Sequence, residues 1–332
     1  MPYVSVIIPA YNAAQFIADA YRSVVDQTID DWEIIFVNDG SQDATLSTVR
    51  SLAANEPRVK VIDLPSNSGP ARARNMAIAI ADGDWIAMLD ADDWYSRGRL
   101  AMLIRAAERT GADVVLDNQF VVDPISRRVS SLAFEPPTNE VMILKFTDYL
   151  LNIQSNTVFD FGYLKPIIRR RWLTANGIKY QENLRLGEDR MLLLECYARR
   201  AKVILVSRPY YYYNFQYSHI SRTASPTTRT EASKDPLLVA TEQFLDKHRP
   251  TLSRLERRLI TLACGAVRET IIFTQFRDCV RHYDIIGLAC CLRHPIRLFR
   301  GIYFAKRRNI LFMRHIRAFS QIQEDLISDQ DG

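Results

Sequence analysis

The 332-residue chain has few cysteines, few glycines and no long apolar run. Its five cysteines (Cys196, Cys264, Cys279, Cys290, Cys291) are an odd number with no CxxC among them, so neither a disulfide framework nor a CxxC metal site is expected. Cys290 and Cys291 are adjacent, which disfavours ordinary disulfide geometry between them, and both read as buried thiols. Twelve glycines and 14 prolines exclude a collagen-like or low-complexity chain. No apolar run approaches the ~18 to 20 residues that cross a bilayer. No basic segment with a separate apolar region precedes the strand-like start, Met1 to Pro9, so no secretory signal is expected and a reduced, cytoplasmic chain is the simplest reading. What is present, 48% hydrophobic and 24% charged residues, is ordinary for a packed protein. The length fits about two domains of ~150 residues, or one large α/β domain with an appendage.

Charge is unevenly placed. Residues 247–320 carry 16 Lys and Arg against 4 Asp and Glu, or +12, while the whole chain is +5 and the remainder therefore −7. A mildly acidic body with a basic C-terminal segment points to contact with something anionic, the ordinary alternative being a solvated helical face. Basic residues alternate with Leu, Ile, Phe and Tyr between Arg293 and Arg308, and the longest apolar stretch nearby, Ile285 to Leu292, has eight residues. That pattern fits a segment lying in a membrane interface with its cations toward lipid phosphates, or a helical subdomain packed on the body or on a second subunit.

The first half alternates strand and helix. Val4–Pro9, Glu33–Val37, Val59–Leu64, Trp85–Leu89 and Val114–Leu116 read as buried strands. Ala13–Val25, Ala44–Ala54, Ala71–Ala81 and Leu100–Thr110 read as the helices between them, with Pro70 in a first turn and Gly111 as a stop. This order predicts a parallel sheet covered by helices on both faces, with ligands beyond the carboxyl ends of its strands. Tyr11-Asn12, Asn38-Asp39 and Asp90 to Asp93 all fall at such ends. Residues 118–165 read as irregular, 188–199 as a helix, Val203–Val206 as a strand, 224–235 as a linker and the rest as helices. The tyrosines Tyr210 to Tyr213 read as packing a strand on both faces, with sugar stacking by one of them as the secondary alternative.

Two acidic clusters carry the chemistry. In Asp90-Ala91-Asp92-Asp93, strand alternation puts Asp90 and Asp92 on one side and Asp93 on the other. Clustered carboxylates repel unless a cation joins them, and a hard divalent ion, Mn²⁺ or Mg²⁺, is the natural partner; a turn with capping aspartates is the ordinary alternative. Glu188-Asp189 opens a helix after Gly187, where acids also occur simply to meet the helix dipole. Asp39 in Asn38-Asp39-Gly40-Ser41 suits an Asx-turn as well as a ligand contact. Arg72 and Arg74 flank a helix start that favours anions, and two residues apart they cannot share a face. His219 sits in a polar loop, as a metal ligand, a diphosphate contact or a surface residue. Trp94 shapes the acceptor side or packs in the core.

The segments VSVIIPAYNAAQFI, EIIFVNDGSQDAT, NSGPARARNMAI and DWIAMLDADDW, in that order and spacing, resemble the signatures of family 2 glycosyltransferases with the GT-A fold. The resemblance is close over residues 3–115 and reaches weakly to Gly187-Glu188-Asp189. It implies a Rossmann-like, mostly parallel α/β sheet sandwiched by helices, with a C-terminal helical extension. It implies a catalytic domain over 1–223 (a nucleotide-sugar half, 1–117, and an acceptor half, 118–223), then the 224–235 linker and a basic helical region, 236–332. It implies that Pro9, Ala10 and Tyr11 line the nucleotide pocket, that Asp39 accepts from the base, that Arg74 meets the diphosphate, and that Asp90 and Ala91 lie at the ribose. It places Asp92 at the metal, where His219, from its own loop, is the further candidate ligand, and makes Asp189 the base with Glu188 in support.

The activity so implied is inverting transfer of a sugar from a UDP-sugar to a hydroxyl of a growing, lipid-linked bacterial glycan or glycolipid. The alternatives are a non-catalytic nucleotide- or glycan-binding relative, and a basic membrane-binding module. No nucleic-acid platform is present, and a homo-oligomer stays open. The resulting placement is cytoplasmic and peripheral, on the inner face of the plasma membrane through residues 247–320.

Overall fold

A computed structural model describes residues 3–123, 126–136, 139–153, 159–214, 235–282, 290–292 and 295–298. It divides into two compact units, one of residues 1–145 and 162–232, the other of 146–161 and 233–332. Residues 146–161, expected within the acceptor half, thus group with the C-terminal unit. The expected linker, 224–235, lies almost wholly outside the described residues, as does everything beyond 298.

The first unit is built on a ten-stranded sheet. Strands β1 (Val4–Ala10), β2 (Trp32–Asp39), β3 (Val59–Leu64) and β4 (Trp85–Met88) are parallel, in the order β3-β2-β1-β4. Every residue of β2 and β4 is buried, as expected of continuous apolar strands covered on both faces. Helices α1 (Ile17–Val25), α2 (Thr45–Ala54), α3 (Pro70–Ile80) and α4 (Arg99–Thr110) connect and cover them, with α3 on β1 and β2 and α2 on β3.

The second half of the sheet departs from a simple parallel order. The expected fifth strand, β6 (Val114–Val122), does not lie beside β4. The three-residue strand β9 (Ile167–Arg169) is wedged between them, antiparallel to both. β10 (Val203–Asn214) continues parallel to β6, and the two-residue β5 (Trp94–Tyr95) pairs antiparallel with it. Residues 118–165 are more regular than expected: β6 runs on to Val122, β7 (Val129–Leu132) pairs with it, and β8 (Val141–Ile143) pairs with β10. The tyrosine run belongs to β10, whose bulges around Pro209 obscure its periodicity. Helices α6 (Arg170–Ala175) and α7 (Glu188–Ala198) complete the unit.

In the second unit, α9 (Arg254–His282) packs on α5 (Phe146–Asn152) and α8 (Asp235–His248). Ser253 and Glu256 form a reciprocal capping box at its start, each accepting from the other's backbone N–H at 3.2 and 2.6 Å. Cys291 is buried, but Cys290 is exposed, contrary to expectation, because neighbours on a helix point to different faces. Among the described residues, no helix is long and apolar enough to cross a membrane.

Candidate active site

The rim is assembled by loops tied to one another. Asn12, at the end of β1, takes a left-handed φ of +48°. Its N–H donates to Ser41 Oγ (3.1 Å), and its Oδ1 accepts from the Gln42 N–H (2.8 Å). The register of β1 on β2 pairs Pro9 with Val37 and Ala10 with Asn38, so Tyr11 falls level with Asp39. Pro9 and Tyr11 are half-buried; Ala10 is buried.

Asp39 is not engaged in an Asx-turn of its own loop. Its buried carboxylate accepts from the Ser68 N–H at 2.6 Å and the Gly69 N–H at 2.8 Å, anchoring the loop that leads into α3. A Cβ at Gly40, where φ is +67°, would lie 2.5 Å from the Ser66 carbonyl carbon, so only glycine lets that loop approach. Two of the carboxylate's lone-pair positions are used, and two remain for a ligand donor.

Asp90 to Asp93 do not alternate. β4 ends at Met88, and a turn closed by the Asp93 N–H on the Asp90 carbonyl (3.1 Å) replaces the strand. Asp90, Asp92 and Asp93 each bring an oxygen within 4.8 Å of the others, so Asp93 joins the cluster it was expected to face away from. Asp93 is buried, and its oxygens accept from the Tyr211 hydroxyl (2.6 Å) and the Asn214 N–H (2.7 Å). Burial, then the neighbouring Asp92 and Asp90 carboxylates, push its carboxyl well above the usual range. Tyr211 also accepts from the Asp90 N–H (3.2 Å), linking both ends of the turn. Ala91 is buried beneath it.

This donor set fits a hard divalent cation: it is all oxygen, crowded and anionic, and it resists full ionisation unless positive charge is supplied. Asp90 is already held on both oxygens, by Arg74 Nη2 at 2.7 Å and Lys165 Nζ at 2.8 Å. Asp92, with Asp93 beside it, is the candidate ligand for such a cation. His219 lies outside the described residues.

Arg74 and Arg72 diverge as their spacing requires: Arg72 is exposed and Arg74 only 2% exposed. Arg74 donates to Asp90 and, through Nη1, to Glu188 Oε1 at 2.8 Å, and passes 3.7 Å from Asp189 Oδ1. Burial disfavours its charge, but Asp189 and Asp90 outweigh that and hold the guanidinium ionised. Asp189 accepts from Lys165 Nζ at 2.7 Å on Oδ2 and from the Tyr180 hydroxyl at 3.0 Å on Oδ1. Burial and Asp189 raise Tyr180, which stays a phenol and a donor. Gly187, with φ +78°, caps α7 and aims both acids into this network.

Lys165, Tyr180 and Asn214 carry no site reading from the sequence, which places Tyr211 in the tyrosine run of a packed strand rather than beside Asp93. Lys165 had a signal: a lone charge between Tyr163-Leu164 and Pro166-Ile167-Ile168 is a charge in an apolar run, which needs a buried partner. Tyr180 had none, because its place depends on Asn75 of α3. That side chain accepts from the Tyr180 N–H and donates to its carbonyl, both at 2.9 Å. Trp94 stacks on Tyr212 with centroids 5.4 Å apart, and lines a cavity of about 970 Å³ with Arg97 and Arg127.

Comparison with known proteins gives the family and the fold. The family model described as glycosyl transferase family 2 matches residues 5–170. Succinoglycan biosynthesis protein ExoO of Rhizobium meliloti is 35% identical over 305 residues, spanning 90% of this chain and 83% of that protein. Succinoglycan biosynthesis protein ExoU of the same organism is 33% identical over 206 residues, spanning 61% of this chain and 59% of that protein. The crystal structure of S. aureus TarS 1–349 in complex with UDP-GlcNAc shares the fold, with a TM-score of 0.61 at 22% identity over 83% of this chain and 73% of that one. With the family model covering half of its length and ExoO alike over most of it, the chain belongs to glycosyl transferase family 2 and is a glycosyltransferase.

Proposed function

We propose that the protein transfers a sugar, with inversion, from a UDP-sugar to a hydroxyl of a lipid-linked glycan in exopolysaccharide assembly. The observation that carries this reading is the closeness of the two acidic clusters: a single cation separates Asp90 from Asp189, and another separates Asp90 from Glu188. The base and the donor-side carboxylates are thereby held within one side chain's reach, as direct displacement at an anomeric carbon needs. The relatives named for succinoglycan biosynthesis, and the UDP-GlcNAc held by TarS, support the exopolysaccharide setting and the UDP-sugar donor.

In this reading Pro9, Ala10 and Tyr11 line the nucleotide pocket, and Asp39 accepts from the base with its remaining lone pairs. Asp90 and Ala91 border the ribose. Asp92, together with His219, would hold Mn²⁺ or Mg²⁺, which would supply positive charge against the leaving diphosphate. Arg74 adds positive charge beneath the diphosphate without leaving its carboxylates. Asp189 takes the proton of the acceptor hydroxyl as its oxygen bonds to the anomeric carbon. The bond from that carbon to the diphosphate breaks, and its electron pair leaves with UDP. Attack opposite the leaving group makes a β-linked product from an α-linked donor. Trp94 and its cavity form the acceptor side.

The charge excess over residues 247–320 supports reversible binding to the anionic inner face of the plasma membrane, at ~1 kcal/mol per cation near the surface. Vesicle co-sedimentation checks this: binding should need anionic lipid and fade with salt, and a protein left in the supernatant at low salt refutes it.

The activity is tested by a screen of UDP-, GDP- and dTDP-sugars with Mn²⁺, read by calorimetry and nucleotide release. Binding and turnover of a UDP-sugar are expected. Preference for a GDP- or dTDP-sugar, or no turnover of any donor, overturns the reading.

A further inference from the structure

We propose that Lys165 is a positioning residue for the transfer step, holding Asp189 in register with the donor-side carboxylates; the inference rests on Asp189 acting as the base. Lys165 Nζ lies 2.7 Å from Asp189 Oδ2 and 2.8 Å from Asp90 Oδ2, and its side chain is 6% exposed. Burial disfavours its charge, but Asp189 and Asp90 outweigh that and raise its pKa above the ordinary lysine range. The ammonium therefore stays charged and takes no part in proton transfer.

The main chain around Lys165 is fixed from two sides. The Met88 N–H, at the end of β4, donates to the Pro166 carbonyl at 3.4 Å. The Lys165 carbonyl accepts from Arg99 Nη2 at 2.7 Å. Arg99 is itself fully buried against Asp117, at 2.8 Å through Nη2 and 3.2 Å through Nε. The wedging of β9 between β4 and β6 thus has a consequence beyond the sheet. It delivers Lys165 to the end of β4, where Asp90 begins the acidic turn.

Two contacts fix the plane of the Asp189 carboxylate: Lys165 on Oδ2 and Tyr180 on Oδ1. Without Lys165 the remaining contacts, Tyr180 and the 3.7 Å approach of Arg74, both fall on Oδ1, and the group can swing about that oxygen. The charges point the same way. Asp90, Glu188 and Asp189 are three anions against two cations, Arg74 and Lys165. Loss of Lys165 leaves Asp90 and Asp189 to repel each other in a poorly solvated site. Asp90 keeps Arg74, so the damage falls on the base rather than on donor binding.

The test is a double-mutant cycle on UDP release from UDP-glucose, UDP-galactose and UDP-N-acetylglucosamine with Mn²⁺, water as acceptor. UDP binding and thermal midpoint are measured on every variant. Lys165→Met is expected to lower kcat by ~10²-fold, with donor KM moved less than about threefold. In an Asp189→Asn background, Lys165→Met should cost less than about threefold more, because it acts through the group already removed. Lys165→Arg should recover at least ~10-fold over Lys165→Met, since it restores the charge. Should Lys165→Met not fold, Lys165→Gln, which keeps an N–H donor, takes its place in the cycle. Multiplying losses in the double variant, or a loss in UDP binding rather than kcat, overturns the role of Lys165 alone. Asp189→Asn at the wild-type rate, or a wild-type protein that releases no UDP, overturns the base assignment or the activity, and this inference with it.

Discussion

Glu188 and Asp189 enter the rim against groups already in place to receive them: the Arg74 guanidinium, the Lys165 ammonium and the Tyr180 hydroxyl. Asp93, in the other acidic cluster, is met by neutral donors, a tyrosine hydroxyl and a backbone N–H, and its carboxyl is pushed up by burial and by its neighbours. The protein thus meets Glu188 and Asp189, and with them Asp90 of the other cluster, from its own cationic side chains, while Asp93 is met by neutral donors. In the proposed reaction the base is oriented before the acceptor arrives, and the carboxylates proposed to hold a metal would need their counter-charge only with the donor diphosphate.

The largest expected effect breaks the donor side. Asp92→Ala should lower transfer by ~10³-fold or more and weaken UDP binding in Mn²⁺, because a metal contributes several kcal/mol to the leaving charge. EDTA should do the same to the wild type, and circular dichroism should show the fold intact, since the cluster sits in a turn. Next, on the base side, Asp189→Asn should lower kcat by ~10²-fold or more and leave UDP affinity in place, read by steady-state kinetics and calorimetry. Glu188→Gln should cost ~10-fold, since Arg74 keeps Asp90. If Glu188→Gln is the slower variant and Asp189→Asn is not slow, the roles of the two acids are exchanged. The smallest effect falls at the end of β2. Asp39→Ala leaves the Ser68 and Gly69 N–H groups without their acceptor and should cost about 1–3 kcal/mol of stability by thermal denaturation, with a weaker hold on UDP.

The donor half was legible in the sequence because each strand there is a continuous apolar run followed by a polar end. Val59–Leu64 matches strand β3 at both ends, and Glu33–Val37 falls within β2. The alternation rule failed at Asp90 because it was carried past Met88, where the strand stops. The base side was half legible. Gly187-Glu188-Asp189 reads as a helix start, but the groups that receive those acids come from Arg74, Lys165 and Tyr180, far apart in sequence. A three-residue strand such as β9 carries too little periodicity to be seen locally, and it is what brings Lys165 to the site.

The contrast between the clusters is tested most directly by calorimetric titration of UDP, with Mn²⁺ and with EDTA, into the wild type, Asp92→Asn and Glu188→Gln. The account predicts that Mn²⁺ tightens UDP binding by at least ~10-fold in the wild type and in Glu188→Gln, and leaves Asp92→Asn unchanged. Equal UDP affinity in Mn²⁺ and EDTA, or a metal response lost from Glu188→Gln as fully as from Asp92→Asn, would contradict it.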